Sequence, residues 1–157
     1  MGKNSDNIHE VFNSFENIYK IAKDKRLARI GDNIVNLAYS LAVFISTKKS
    51  AGKKVPGKIL SAALRRTRLR EYAGSHQDAH GLADAVEALI GYCWLKKTIT
   101  IDSMVEILVE NIGKNLQTDS VFEVTVKAFK KLLEKIDTIL TKEFNNRESL
   151  KNGERTH

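Results

Sequence analysis

The sequence predicts an all-α protein, and three observations lead to that prediction. Apolar residues recur at three- and four-residue spacing along most of the 157-residue chain, as on one face of an α-helix. Residues that cap helices stand in front of several of these periodic segments. No segment shows the alternation typical of a half-buried strand. We therefore expect one all-helical domain over residues 1–145, followed by a polar, flexible tail over 146–157.

The first three helices are predicted from periodicity and from their caps. The spacing predicts a helix over 8–22, with Ser5, Asp6 or Asn7 as its N-cap. A longer helix is predicted over 26–47. Pro56 suits the first turn of a third helix over 57–66, because its fixed φ is helical and it has no N–H to leave unpaired.

Three further helices complete the predicted domain. Gly74 and Gly81 mark a loop, after which the spacing predicts a helix over 81–97. A fifth helix is predicted over 102–115, with Thr100 or Asp102 as its cap and Gly113 near its end. Ser120 and Glu123 have the spacing of a capping box, which predicts the start of a last helix that runs to about residue 145.

The chain is basic, and its charge is unevenly distributed. The formal net charge is +7 and the sequence pI is 9.5, which favours an anionic partner. Residues 33–70 contain no acidic side chain. Either this span is a solvated lysine-rich surface, or it contacts phosphate groups; four arginines within six residues favour phosphate. The candidate RNA-binding residues are Lys48, Lys49, Lys53, Lys54, Lys58, Arg65, Arg66, Arg68 and Arg70.

Two predicted helices carry carboxylates on otherwise apolar surfaces. Asp84 and Glu87 share one face of the fourth helix, because residues three apart are neighbours on a helix. Asp32 lies in the second helix, directly after Gly31, which would allow another backbone or a ligand to approach closely. Alone, each would be the polar edge of an amphipathic helix. Packed together, the two helices would offer the oxygen ligands that Mg²⁺ prefers, and that ion would activate water against a phosphodiester.

The same two segments carry a family resemblance. "RIGDNIVNLAYSLA" resembles the signature helix of the ribonuclease III family, and "LADAVEALIGYCWL" resembles the second acidic helix of that family. The resemblance covers residues 25–98. The form of the sequence is most similar to short archaeal ribonuclease III-like proteins that lack a double-stranded-RNA-binding domain.

The resemblance implies an all-helical endonuclease domain that cleaves double-stranded or structured RNA with Mg²⁺ or Mn²⁺, and that acts as a homodimer. It implies that Asp32 and Glu87 are direct metal ligands and catalytic residues. Asp84 would be the third catalytic residue, positioning water or the other ligands. Asn36 would be a structural hydrogen-bonding residue beneath the site, and Gly31 a structural residue beside it.

The sequence departs from the family pattern in two places. Position 28, where the family has a glutamate, is Ala28. A nearby segment, "SHQDAHG", is either a polar loop or the source of a replacement ligand, and Asp78 is then the candidate because Mg²⁺ prefers oxygen to imidazole. Residues 100–157 have helical spacing rather than the α-β-β-β-α order of the family's RNA-binding domain, so we expect RNA binding to fall to the helical domain.

Two other functions remain open at this point. The missing glutamate would also suit a catalytically weak or inactive RNA-binding protein that acts in RNA processing or ribosome assembly. An all-helical nucleotide pyrophosphohydrolase would also gather carboxylates around Mg²⁺, but its usual clusters of glutamates are not evident. One cysteine, no apolar run of membrane-spanning length and no apolar signal segment lead us to expect a cytoplasmic protein without a membrane partner.

Overall fold

The computed structural model describes residues 14–49, 52, 54–115 and 119–155. Within them, six α-helices and one 3₁₀ helix occur, and there is no strand, which confirms the all-α prediction. The 3₁₀ helix spans Arg68–Ala73, between α3 and α4. The α-helices are α1 (Ile18–Ala22), α2 (Lys25–Thr47), α3 (Gly57–Arg65), α4 (Ala79–Leu95), α5 (Ile101–Asn115) and α6 (Val121–Glu154).

Helix α4 lies at the centre of the domain. Its buried residues face in every direction, as expected for a helix that is surrounded by others. It packs chiefly against α2 and α3, and it also contacts α6. The buried residues of α4 are Leu82, Ala83, Ala85, Val86, Ala88, Leu89, Ile90, Gly91, Tyr92 and Cys93.

The first helix is shorter than predicted within the described residues. Asn17 is its N-cap, since the Asn17 side chain accepts a hydrogen bond from the backbone N–H of Lys20 at 3.0 Å. The prediction of helix over 14–17 was therefore wrong. Residues 8–13 and the three candidate caps at 5–7 lie outside the described residues.

The last helix is longer than predicted. The sequence interpretation ended it near residue 145 and expected a flexible tail, whereas α6 continues to Glu154. Polarity alone does not end a helix, because lysine, arginine, glutamate and leucine all have high helix propensity. An ion pair between Glu143 and Arg147, four residues apart with 3.1 Å between the charged atoms, supports the continuation.

The rest of the fold follows the predicted order. Residues 101–154 contain α5, the connection to α6 and α6 itself, and no strand occurs in their described part. None of the helices in the described part of the chain combines the length and the apolar character that crossing a membrane requires.

Candidate active site

Two glycines set the distance between α2 and α4. A Cβ atom at Gly31 would overlap the backbone carbonyl group of Glu87, and a Cβ at Gly91 would lie 2.8 Å from the carbonyl oxygen of Leu27. Both are closer than side-chain atoms normally come, so only glycine permits this crossing. The crossing places Asp32, which follows Gly31, beside Glu87 on the neighbouring helix.

The three predicted catalytic carboxylates line one groove. It has a volume of about 600 Å³ and opens between α2, α4 and the segment that leads into α3. Asp32 comes from α2, and Asp84 and Glu87 come from α4. The groove is lined by Lys25, Ala28, Arg29, Asp32, Lys54, Val55, Gly57, His80, Ala83, Asp84 and Glu87.

Asn36 holds Asp32 in place. Its side-chain Nδ2 donates to Asp32 Oδ1 at 3.1 Å, and its Oδ1 accepts from the backbone N–H of Val55 at 2.8 Å. The same amide therefore orients the carboxylate and fixes the segment that carries Lys54. Lys54 Nζ lies 3.9 Å from Asp32 Oδ2.

The surroundings of Glu87 disfavour its ionised form. Burial, reinforced by the carboxylates of Asp32 and Asp84, raises the pKa of Glu87 to about 7 from its ordinary 4.5, and Lys54 only partly opposes the shift. The hydrogen bond between Glu87 and Asp32 also favours the protonated form. The positive charge of Lys54 is therefore not enough to offset burial and the two neighbouring carboxylates at Glu87.

Asp84 has basic partners of its own. Its Oδ2 lies 2.7 Å from Lys25 Nζ and 3.8 Å from His80 Nε2. In the part of the chain that the structure describes, no group of three histidine, cysteine or acidic side chains is arranged to hold a metal ion. The groove thus contains the carboxylates of Asp32 and Glu87, with Lys54 near Asp32, and a third carboxylate, Asp84, that is paired more closely with Lys25.

Asp78 lies elsewhere. Its side chain caps α4 by accepting from the backbone N–H of Gly81 at 2.8 Å, and it is not among the residues that line the groove. The structure thus does not bring this candidate replacement ligand to Asp32 and Glu87. His80 is the member of that polar segment that reaches the groove.

Two arginines of the acid-free span have acidic partners on α6. Arg66 makes two hydrogen bonds to Glu123, at 3.0 and 2.8 Å, and Arg68 makes two to Asp137, at 3.3 and 3.1 Å. In the structure these two side chains are paired with carboxylates, and the expectation that they contact phosphate stays a prediction. A count of charges along residues 33–70 missed the acids because they lie 57 and 69 residues further along the chain.

Among the predicted RNA-binding residues that the structure describes, Lys54 alone lines the groove. Arg70 donates to the backbone carbonyl oxygen of Gly74 at 2.8 Å and is partly buried. Lys53 lies outside the described residues. The other four are exposed away from the groove lining: Lys48, Lys49, Lys58 and Arg65.

Sequence reasoning missed Lys25 and Arg29. Both line the groove from α2, four residues apart, and Asp32 follows three residues after Arg29. This spacing puts all three on one face of a helix. Both residues precede the acid-free span, and their helical spacing from Asp32 is the signal in the sequence that marks them.

Glu87→Gln is expected to stabilise the metal-free chain above neutral pH. The pKa of Glu87 is higher in the folded than in the unfolded chain, so wild-type stability falls as pH rises from about 4.5 to about 7. Glutamine keeps the shape and cannot ionise. Denaturant unfolding in chelator should show the variant more stable by about 1 to 2 kcal/mol near pH 8, after allowance for partial solvent screening. The gain should vanish near pH 4.5; an equal gain at both pH values would contradict the stated cause.

One comparison with known proteins identifies a family. The profile of the family described as Ribonuclease III matches residues 25–142, which are 118 of the 157 residues. No curated protein matches the chain. The matched range runs from Lys25 at the start of α2 into α6, and it includes every residue that lines the groove.

Proposed function

The chain belongs to the ribonuclease III family, and on that premise we propose that it is an endoribonuclease that cleaves double-stranded or structured RNA with Mg²⁺. The observation that best supports this proposal is the groove. Asp32 and Glu87 line it at the glycine crossing, together with Asp84. Holding two carboxylates close together and partly buried costs free energy. A site that binds a cation regains that cost when the ion arrives.

The donor set fits a hard divalent ion. All three acidic side chains offer oxygen, and Mg²⁺ needs only one or two direct carboxylates when water and phosphate fill the remaining positions. Asp32 and Glu87 would hold the ion, and Asp84 would orient groups around it. When bound, the ion supplies positive charge that activates water and stabilises the charge that develops on a phosphodiester.

The remaining residues of the groove suit a phosphate backbone. Arg29 and Lys54 line it from two different segments, on either side of Asp32 in the sequence. Their positive charges would hold non-bridging phosphate oxygens near the carboxylates, and Asn36 would keep Asp32 turned toward them. Both cations therefore bind and position the substrate in this proposal.

The test is cleavage of a labelled RNA duplex by the full chain with Mg²⁺ and with chelator. Cleavage that requires the ion supports the proposal. Cleavage that continues in chelator contradicts it. Binding of the duplex without cleavage in Mg²⁺ or Mn²⁺ would instead favour the non-catalytic RNA-binding protein, for which Ala28 is the motivating residue.

The groove cations and the paired arginines should behave differently in RNA binding. We expect Arg29→Ala with Lys54→Ala to weaken duplex binding and to flatten the dependence of log affinity on log salt by about 2, one for each lost phosphate contact. Arg66→Ala with Arg68→Ala is the matched control. Because these two arginines already bond to Glu123 and Asp137, that variant should bind RNA almost as well as wild type. Equal salt slopes in both variants would contradict the assignment of the groove.

We also propose that the protein acts as a homodimer through an exposed apolar face of α2. Leu37 is 50% and Phe44 is 48% exposed, which is unusual for large apolar side chains on a helix that also faces the core. The face is formed by Ile30, Leu37, Leu41, Phe44 and Ile45. Ile30 and Phe44 lie seven residues to either side of Leu37. In two antiparallel copies related by a two-fold axis at Leu37, Leu37 would face its own copy, and Ile30 of each chain would face Phe44 of the other.

Leu37→Asp is expected to shift the protein from dimer to monomer. Two aspartates would face each other at the axis without a cation, and the cost would greatly exceed the loss of one apolar contact. Sedimentation velocity over a range of concentrations measures the change, with Leu150→Asp as a control at an exposed leucine near the end of α6. A monomeric wild type, or a Leu37→Asp variant that still dimerises, would exclude this interface.

A further inference from the structure

The groove differs from a site that is built only of carboxylates. Its described lining contains three acidic side chains, Asp32, Asp84 and Glu87, and three lysine or arginine side chains, Lys25, Arg29 and Lys54. The formal charges of these six groups cancel. The groove therefore carries far less uncompensated negative charge than two divalent ions would need.

The carboxylates also fall into two sets. Asp32 and Glu87 line the groove at the glycine crossing, where a Cβ at Gly31 would overlap the carbonyl group of Glu87. Asp84 instead contacts the Lys25 ammonium group at 2.7 Å. Lys25 and Ala28 are neighbours on one face of α2, and both line the groove. The Lys25 ammonium therefore pairs with Asp84 close to position 28, where this chain has alanine instead of an acid.

We infer that each chain takes a single divalent cation, held by Asp32 and Glu87, and that the Lys25 ammonium serves Asp84 in place of a second ion. The inference rests on the proposed function, because it concerns the metal of that same site. A second ion at Asp84 would have to displace Lys25 and then lie beside a like charge only a few ångströms away. With three carboxylates and no fourth at position 28, nothing in the described lining compensates that repulsion.

The experiment counts Mn²⁺ ions bound by the full chain at fixed ionic strength, using the spin-resonance signal of free Mn²⁺. Wild type is expected to bind one ion per chain. Lys25→Ala combined with Ala28→Glu removes the ammonium and adds a carboxylate, and it is expected to bind two. Lys20→Ala, an exposed lysine outside the groove, is the control and should bind one. Circular dichroism checks that each variant is folded.

Each outcome decides something different. Two ions on wild type would overturn the inference and leave the proposed function standing. No ion on wild type would overturn the metal-dependent function itself. A folded double variant that still binds one ion would overturn the role of Lys25. If that variant does not fold, Asp84→Asn replaces it: the single ion should remain, and its loss would show that Asp84 is a required ligand.

Discussion

Asp32→Asn is expected to reduce cleavage of an RNA duplex by at least about 100-fold in saturating Mg²⁺. Loss of a group that merely orients a ligand typically costs 10- to 100-fold, and Asp32 is proposed to be a ligand itself. Asparagine has nearly the same shape and can still bond to Asn36, so the change removes charge with little disturbance of packing. The initial rate on an end-labelled duplex measures the effect.

A matched control tests whether the loss of activity comes from removing a carboxylate in the groove rather than any surface carboxylate. Asp102 lies in the first turn of α5, is exposed and does not line the groove. Asp102→Asn should therefore cleave at the wild-type rate. Duplex binding by Asp32→Asn should stay within a few-fold of wild type, since the cations of the groove remain. If Asp32→Asn retains more than about a tenth of the activity, Asp32 is not a direct ligand.

Gly31→Ala is expected to lower the free energy of unfolding by about 3 kcal/mol or more. The added Cβ would overlap the carbonyl group of Glu87, and the obstacle is backbone rather than the end of a flexible side chain. Helices α2 and α4 would have to separate, which opens the core along their length. Urea unfolding followed by circular dichroism measures the loss.

Gly113→Ala in α5 is the comparison for that experiment. A Cβ at Gly113 would have no atom within 4 Å, so alanine should stabilise its helix by about 0.5 to 1 kcal/mol through propensity alone. The two variants make the same chemical change, and the expected changes in their free energy of unfolding have opposite signs. A Gly31→Ala variant as stable as wild type would mean that the crossing can relax at little cost. The convergence of Asp32 and Glu87 would then need another explanation.

The helical architecture and the meeting of Asp32 with Glu87 could be predicted because both leave a local trace. Apolar spacing marks each helix, and a glycine directly before an acid on an apolar helix marks a close crossing. Helix ends were less predictable. Asn17 and Asp78 are caps whose roles depend on where the chain turns, and such turns leave a weak pattern.

The charged residues show most clearly what a single sequence cannot supply. Arg66 and Arg68 looked unpaired because their partners on α6 are distant in sequence, and only the fold brings them together. Lys25 looked like an ordinary residue at the start of a helix, yet it contacts an acid 59 residues later. Electrostatics depends on distances in space, and a run of like charge along the chain says nothing about the opposite charge across from it.

The amide of Asn36 makes the edge and the interior of the groove interdependent. One end bonds to the Asp32 carboxylate and the other to the backbone at Val55, next to Lys54. A phosphate that holds Lys54 in place would steady the same amide and thus Asp32, and a group that binds Asp32 would steady the segment that carries Lys54. The two events are thermodynamically linked, and each must favour the other by the same factor. RNA and metal ion would then each raise the affinity for the other, although they need not touch the same side chain.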